Sequence, residues 1–247
     1  MRSSGTARRD NVGVIIPCLN EESAIGSCVA AVLASGVGEV IVVDGRSADR
    51  TVERAAAAGA KVIVEPVPGY GRAMLSGLAA LAPTSTIVLF IDGDGSDRPD
   101  MIAAVLEPIE SGRADFVLGS RLRGEREPGS LGASQILAGH LTGRLIHLLY
   151  GVRFSDMSPF RAIRREVLGN LGMGETTFAW NLEMQMRVAA AGLRATEVPV
   201  GQRRRLGGVS KVSGDWRNAA RAAFVLAQAF WRLAWQLRRS RGGKPIS

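Results

Sequence analysis

The sequence predicts an α/β fold, an open and mostly parallel β-sheet with helices on both faces. Three observations support this prediction. Over roughly the first 120 residues, short runs of β-branched residues alternate with Ala-rich stretches of helical length. The run Ile87–Ile91 is apolar throughout, as expected for a strand covered on both faces. A chain of 247 residues that is 46% hydrophobic can bury one sizeable core, which favours a single domain with appendages.

Each apolar or β-branched run predicts a strand because it is short and is bounded by turn-forming residues. In order these runs are Val12–Ile16, Val40–Val43, Lys61–Val64, Ile87–Ile91, Phe116–Gly119 and Ala195–Val200. The stretches between them have helical length and composition, and Pro99 stands where proline is favoured, in the first turn of a helix. The predicted helices are Glu22–Ser35, Asp49–Ala58, Gly71–Leu81, Pro99–Ser111, Leu131–Tyr150, Asn181–Ala191 and an amphipathic helix over Trp216–Arg239. We expect a flexible segment at 1–10, a globular domain at 11–214, and a helix with a tail at 215–247.

Charge and cysteine usage restrict the partners and the compartment. The net charge of +8 comes almost entirely from arginine, which favours phosphate-bearing partners or anionic membranes, although an Arg-rich genome would give the same balance. Cys18 and Cys28 form no CxxC pair, as in a reduced cytoplasmic protein without structural zinc. The apolar tract Ala219–Leu237 is interrupted by arginine and glutamine, so it predicts no transmembrane span. We expect no secretory signal and no nucleic acid partner.

Carboxylates follow two of the predicted strands, at the sheet edge where open α/β sheets bind ligands. In Asp92-Gly93-Asp94 the two carboxylates can meet one hard cation, Mg²⁺ or Mn²⁺, that bridges a diphosphate. The alternative, a solvated acidic turn, has no need to follow the most apolar strand, and Asp94 is the predicted direct ligand. Asp44 ends another strand, where its carboxylate can bind a nucleotide base or ribose or can cap a turn.

Three motifs resemble the inverting glycosyltransferases of family 2, in the branch similar to the polyprenyl-phosphate (dolichol-phosphate) mannose synthases. They are 14–22, 43–51 and 92–94, and the resemblance spans 12–214. It implies a GT-A fold and a nucleotide diphosphate sugar donor. The resemblance places the following residues at the donor: Pro17, Leu19, Asn20, Glu21, Asp44, Gly71, Arg72, Asp92 and Gly93. A Gly-rich dinucleotide fingerprint would occupy the first strand-to-helix turn, where Pro17-Cys18-Leu19-Asn20-Glu21 stands instead, which argues against an NAD enzyme.

Three later segments also resemble the family. Residues 154–162 resemble its acceptor-side segment, with Pro159 where many relatives have glycine, so Asp156 and Arg161 are acceptor-side candidates together with Arg121. Residues 181–185 resemble a helix that directs a carboxylate at the catalytic centre, here Glu183, whose helical spacing alone would leave it a solvated charge. The loop 203–211 matches Arg-x-x-Gly-x-Ser-Lys, in which the predicted phosphate ligands are Arg205, Ser210 and Lys211.

The predicted reaction is transfer of a sugar to a polyprenyl phosphate or another lipid, with inversion. A phosphomonoester is largely ionised near neutral pH, since its second pKa is about 6, so it needs no strong base. A hydroxyl acceptor would need Glu183 or Asp156 as the base. Three alternatives stay open: a glycosyltransferase with a soluble hydroxyl acceptor, a sugar nucleotidyltransferase, which would need a Gly-rich first loop that is absent here, and a non-catalytic membrane-surface scaffold.

The helices Leu131–Tyr150 and Trp216–Arg239 combine apolar residues with arginines, and the second also carries tryptophans. Aromatic and basic residues together suit a lipid headgroup boundary, so we expect a cytoplasmic protein bound peripherally to the inner face of the membrane. The alternative is that these helices pack on the core or on a second subunit of a homo-oligomer.

Overall fold

The computed structural model describes residues 8–207 and 216–242. Within them the strands are β1 Arg9–Cys18, β2 Val37–Asp44, β3 Lys61–Val64, β4 Ile87–Phe90, β5 Phe116–Ser120, β6 Arg161–Arg164 and β7 Ala195–Pro199. The helices are α1 Ile25–Ala34, α2 Thr51–Ala57, α3 Tyr70–Ala80, α4 Ile102–Glu110, α5 Ala133–Tyr150, α6 Arg165–Leu171, α7 Trp180–Ala190 and α8 Trp216–Gly242. A single 3₁₀ turn, Pro99–Met101, precedes α4.

The strands form one sheet in the order β3-β2-β1-β4-β6-β5-β7. β1, β2, β3 and β4 pair in parallel, as do β5 and β7, while β6 runs antiparallel to both of its neighbours, β4 and β5. Successive residues of a strand point to opposite faces, so Val14 and Ile16 of β1 join a core cluster with α1 and α4, whereas Ile15 joins the other with α3, α7 and α8. The sheet is therefore covered by helices on both faces, which confirms the predicted fold class.

The strand β6 and the helix α6 were not predicted. The segment Arg161-Ala-Ile-Arg164 has only two apolar residues between two arginines, so it lacks the apolar run by which the other buried strands are recognised. It also reverses the chain direction, which a β-α-β reading does not anticipate. At the other end of the chain, β1 begins at Arg9, inside the segment predicted to be flexible, and residues 1–7 lie outside the described residues.

The helix α8 packs against α7 and has two distinct faces. The inner face is made of buried side chains, which are Ala229, Phe230, Leu233, Ala234 and Leu237. The opposite face exposes Phe224, Trp231 and Trp235, with the Arg239 guanidinium 4.0 Å from the centre of the Trp235 ring. Over the described residues, the structure contains no helix with the length and apolar character that crossing a membrane requires.

Candidate active site

A cavity of about 910 Å³ opens at the carboxyl ends of the parallel strands. The loops after β1, β4, β5 and β7 supply most of its polar lining, and α5 and α8 supply an outer wall that includes Ala138, Ala223 and Leu226. The lining residues that bear charge are Glu21, Asp92, Asp94, Arg121, Arg204 and Arg205. Positive and negative groups therefore meet in one place, as a diphosphate held with a cation would require.

The loop after β1 has lining residues and residues that hold its shape. Pro17, Leu19 and Glu21 line the cavity, as the predicted nucleotide pocket requires. Asn20 does not line it. Its φ is +56°, and its side-chain oxygen accepts a hydrogen bond from the amide of Ala48 at 2.8 Å. Asp44 is 1% exposed and accepts a hydrogen bond from the amide of Ser47 at 2.8 Å. Asn20 and Asp44 thus fix the loop after β2 rather than face the cavity.

Gly71 and Arg72, both predicted at the donor, stand next to the cavity lining but do not belong to it. Gly69 and Tyr70 line the cavity, whereas Gly71 and Arg72 do not. The amide of Gly71 donates to the Thr177 carbonyl at 3.2 Å, and a Cβ at this position would collide with the backbone of Glu175. Gly71 is therefore required for a close approach between the first turn of α3 and the loop before α7, and Arg72 points to solvent.

The acidic loop after β4 concentrates negative charge at the centre of the cavity. Asp92, Gly93 and Asp94 line it, and Asp97 lies beneath them with one carboxylate oxygen accepting from the Asp92 amide at 2.9 Å. Burial, together with repulsion from Asp97 and Asp94, raises the pKa of Asp92 well above its usual range. Burial also raises the pKa of Asp97 to about 7.

This acidic loop fits a hard divalent cation because its donors are carboxylate oxygens whose mutual repulsion a cation would relieve. Within the described part of the chain, no group of three or more His, Cys, Asp or Glu side chains is placed to hold a metal ion alone. Mg²⁺ characteristically takes one or two carboxylates and completes its shell with substrate phosphates and water. Asp92 and Asp94 match that pattern.

Arg205 connects the loop after β7 to the acidic loop. Its guanidinium donates to the Glu21 carboxylate at 2.5 Å and lies 3.4 Å from Asp94. The amide of Leu206 donates to the Asp94 carbonyl at 3.2 Å, so the backbone is held there as well. Arg205 thus lies where the sequence predicts a phosphate ligand, beside the carboxylate predicted to hold the metal. The other two predicted phosphate ligands, Ser210 and Lys211, lie outside the described residues.

Arg121 and Asp156 form a buried ion pair on the side of the cavity nearer β5. The Arg121 Nε and Nη2 each donate to Asp156 at 2.8 Å, and the Arg121 amide donates to it at 2.9 Å. Burial opposes ionisation of Asp156, yet the hydrogen bonds and charge of Arg121 outweigh it and lower the pKa of this carboxyl. Arg121 lines the cavity, whereas Asp156 does not. Asp156 therefore orients the Arg121 guanidinium, and its lowered pKa makes it a poor base.

The predicted catalytic carboxylate Glu183 and the predicted acceptor-side Arg161 do not line the cavity. Glu183 does not face the cavity: it is 2% exposed and accepts hydrogen bonds from the Glu175 amide at 2.8 Å and from Arg187 at 2.9 Å. Arg161 is fully buried in β6 and donates to the carbonyls of Ser158 and Asn181, and burial lowers its pKa to about 10. Both side chains hold backbone segments in place, so neither can contact an acceptor directly.

Several polar lining residues were not predicted: Tyr70, Ser96, Asn181 and Gln202. The hydroxyl of Tyr70 lies 3.4 Å from the Asp92 carboxylate, and burial together with the charge of Asp92 raises the Tyr70 pKa well above its usual range. All four side chains are uncharged, and the only signal in the sequence is their neighbourhood: Ser96 lies in the acidic loop, Asn181 begins the segment 181–185, and Gln202 precedes the basic loop after β7.

A parallel sheet that ends in an acidic loop beside a cavity with both signs of charge indicates a transferase acting on nucleotide sugars. The family model described as glycosyl transferase family 2 matches residues 13–172, and the chain belongs to that family. An uncharacterized glycosyltransferase of Mycobacterium tuberculosis is 38% identical over 227 residues, 91% of this chain and 98% of that protein. A dolichyl-phosphate hexose transferase of Haloferax volcanii is 35% identical over 202 residues, 80% of this chain and 85% of that protein.

The predicted GT-A fold is confirmed by solved structures. One is glucosyl-3-phosphoglycerate synthase of Mycobacterium tuberculosis in complex with Mn²⁺, uridine-diphosphate-glucose and phosphoglyceric acid. It superposes with a TM-score of 0.67 and 24% identity, covering 90% of this chain and 79% of that one.

Proposed function

We propose that this glycosyltransferase transfers a sugar, with inversion and with a divalent metal, from a nucleoside diphosphate sugar to the phosphate of a polyprenyl lipid. The observation that carries the proposal is the acceptor side of the cavity, where the described residues present the fixed guanidinium of Arg121 and no unpaired carboxylate to act as a base. The relative named as a dolichyl-phosphate hexose transferase supports a lipid phosphate acceptor. The neighbouring structure with Mn²⁺ and uridine-diphosphate-glucose supports the donor class and the metal.

On the donor side, the nucleotide lies against Pro17 and Leu19, and its diphosphate reaches the acidic loop. Asp92 and Asp94 hold the metal, which when bound neutralises charge on the diphosphate leaving group. Arg205 lies close enough to Asp94 to contact the same diphosphate, and Ser210 and Lys211 are proposed to complete this phosphate site. Electrostatic stabilisation of the departing diphosphate is the main catalytic contribution of these residues.

On the acceptor side, Arg121 binds the phosphate of the acceptor. The guanidinium of Arg121 has five N–H donors. Asp156 accepts two of them, and the others are left for a ligand as far as the described residues show. An acceptor phosphate oxygen attacks the anomeric carbon and forms the new C–O bond. The bond from that carbon to the diphosphate oxygen breaks, and nucleoside diphosphate leaves. The dianionic phosphate carries no proton to remove, since its second pKa is about 6.

A hydroxyl acceptor would need a base, and the two predicted bases are occupied elsewhere. Asp156 is ion-paired with Arg121, and Glu183 accepts two backbone amides and Arg187 outside the cavity. This arrangement favours an acceptor that is already ionised over a neutral alcohol.

We further propose that residues 11–214 form the catalytic domain and that 215–247 help to place it on the inner face of the cytoplasmic membrane. The support is that both helices expose large apolar side chains: α5 exposes Leu137, Leu141 and Leu148, and α8 exposes Phe224, Trp231 and Trp235. Both helices also wall the cavity, so an acceptor lipid in the membrane would lie close to Arg121.

Product analysis tests the proposed function. The protein is incubated with Mn²⁺ and UDP- or GDP-linked hexoses, together with a polyprenyl phosphate, the matching polyprenol or 3-phosphoglycerate. We expect release of nucleoside diphosphate and an anomerically inverted glycolipid with the polyprenyl phosphate alone. Transfer to the polyprenol would contradict the base-free acceptor site, and transfer to 3-phosphoglycerate would establish a soluble acceptor. Release of pyrophosphate would indicate a nucleotidyltransferase, and no release would favour a scaffold.

A further inference from the structure

We propose that the side-chain amides of Asn181 and Gln202 bind hydroxyl groups of the transferred sugar and so determine which sugar the enzyme accepts. This inference rests on the proposed function, since it assigns the part of the cavity that the donor's sugar occupies. The two residues come from α7 and from the loop after β7, and both line the cavity. Each carries a buried side-chain amide oxygen for which the described residues supply no hydrogen-bond partner, and a neutral amide suits an uncharged ligand group.

Gln202 is 7% exposed and is held in a fixed orientation. Its backbone amide donates to the Glu125 carbonyl at 3.0 Å, and its carbonyl accepts from the Glu127 amide at 2.9 Å. One end of its side-chain amide bonds the Ser96 hydroxyl at 3.2 Å, whereas the other end is buried with no hydrogen-bond partner among the described residues. The side chain is thus fixed, and its amide oxygen is the atom that we assign to a ligand hydroxyl.

Asn181 lies in the first turn of α7 and is held there by packing and a hydrogen bond. It follows Trp180, whose ring packs edge-on against Phe90 at 4.9 Å, and its carbonyl accepts from Arg161 at 2.9 Å, so the start of α7 is rigid. Its side-chain oxygen is buried and has no hydrogen-bond partner within the described residues.

The position of the two amides relative to the acidic loop identifies the ligand group. Gln202 bonds Ser96, whose amide donates to Asp94, the carboxylate proposed to hold the diphosphate through the metal. The side chain of Asn181 is a hydrogen-bonding neighbour of Tyr70, and the Tyr70 hydroxyl lies 3.4 Å from the Asp92 carboxylate. The diphosphate of a nucleotide sugar joins the ribose of the nucleoside to the transferred sugar. Because the proposed function assigns the nucleoside to Pro17 and Leu19 in the loop after β1, the two amides on α7 and after β7 are left for the hydroxyls of the transferred sugar. Amides bind hydroxyls without any change of charge.

The free energy of an unpartnered amide gives the inference its magnitude. A buried polar atom left unsatisfied costs about 1–3 kcal/mol, which corresponds to roughly a 5- to 150-fold change in binding. A donor that lacks the matching hydroxyl leaves the amide unsatisfied, so a site of this kind rejects deoxy sugars strongly. We therefore expect the wild-type protein to bind at least one monodeoxy donor about 10-fold or more weakly than the parent sugar.

Ligand-induced thermal shifts and donor kinetics on the full chain test the inference. The free nucleoside diphosphate and its hexose conjugate are titrated against the wild type, Gln202→Met and Asn181→Leu, which keep side-chain size without the amide. Both variants should bind the nucleoside diphosphate normally and lose about 10-fold in affinity for the conjugate. Each variant should also bind the deoxy donor that the wild type rejects, with an affinity within about threefold of its affinity for the parent sugar, because the amide that discriminates is gone.

Gln135→Met is the matched control. Gln135 also lines the cavity, but its side-chain oxygen accepts a hydrogen bond from the Gly132 amide at 3.0 Å, so we expect no change in sugar discrimination. The inference is overturned if the wild type binds every monodeoxy donor as tightly as the parent sugar. It is also overturned if both variants bind the hexose conjugate with wild-type affinity. Failure of the wild type to bind any nucleoside diphosphate would instead overturn the proposed function.

Discussion

Replacing Asp156 with asparagine should show whether this carboxylate acts by holding Arg121 or by taking a proton. The substitution keeps the size of the side chain and one acceptor oxygen but removes the negative charge. The Arg121 guanidinium, 9% exposed in its side chain, would then lie in the protein interior without a counter-ion. We expect a loss of both stability and transfer to the polyprenyl phosphate.

The magnitude follows from the burial of the pair. Removing one partner of a buried, hydrogen-bonded ion pair costs about 3–5 kcal/mol, and we take the lower end, about 3 kcal/mol, because asparagine retains some hydrogen bonds. For a domain of this size each kcal/mol lowers the Tm by about 2–4 °C, so the Tm should fall by about 6–12 °C. The more exposed pair of Asp115 with Arg194, whose side chains are 14% and 58% exposed, provides the comparison: Asp115→Asn should cost less, about 1 kcal/mol.

The pH dependence of the difference adds a second measurement. Because Arg121 lowers the folded-state pKa of Asp156, the stabilisation by the ionised carboxylate is fully present above its unfolded pKa of about 3.9. It is lost as the pH falls through the lower, folded-state pKa. The Tm difference between wild type and Asp156→Asn should therefore be constant from about pH 8 to pH 5 and shrink below about pH 4.

The assays are thermal unfolding across this pH range and steady-state transfer with varied acceptor. The reasoning is refuted if Asp156→Asn unfolds no earlier than Asp115→Asn, or if it transfers sugar to the lipid phosphate at the wild-type rate. The double variant Arg121→Met with Asp156→Leu separates the two effects. Removing both charges should restore much of the stability, since apolar replacements of a buried pair are often neutral, while transfer stays low.

Three further predictions concern the donor site and the membrane. Asp94→Asn, which retains an acceptor for the Ser96 amide, should abolish transfer without unfolding the protein, and a chelator should do the same reversibly; full activity in either test would exclude the metal site. Arg205→Ala and Lys211→Ala should each lower turnover by about 10²-fold or more without changing sugar preference in a two-donor competition; a changed preference would indicate direct sugar contact. The full-length protein should float with anionic liposomes at low salt, and a variant with serine in place of the exposed Phe224, Trp231 and Trp235 should not; equal flotation of the two would remove the membrane role of α8.

The sequence predicted the elements whose pattern is repeated and local. β1, β2, β3 and β4 are apolar or β-branched runs followed by helices, and this repetition is enough to predict a parallel sheet and to locate the acidic loop at its edge. β6 was missed because its pairing is non-local: it lies between β4 and β5 in the sheet, and nothing in its own short sequence indicates these partners.

Side-chain roles were harder to predict than strands, because a charged residue near a motif can bind a ligand or support the backbone. Arg161 was predicted to contact the acceptor, but its guanidinium donates hydrogen bonds to two backbone carbonyls. Glu183 was predicted to act as a base, but its carboxylate accepts hydrogen bonds from two backbone amides. The orientations of Asn181 and Gln202 depend on packing between distant segments, so no spacing in the sequence identifies them.

The reversed strand β6 has a consequence for how this enzyme can diversify. Because Arg161 pairs with Phe90 at the carboxyl end of β4, the loop that precedes β6 arrives at the same sheet edge as the loops that follow the parallel strands. In the proposed assignment the donor side comes from the chain before residue 98, from Asn181 in α7 and from the loop after β7, while Arg121, Asp156 and Pro159 belong to the stretch around β5 and β6. Insertions between β5 and β6 can reshape the acceptor side without breaking any hydrogen bond among β1, β2, β3 and β4. The acceptor can therefore change during evolution while the residues proposed to bind the donor stay in place.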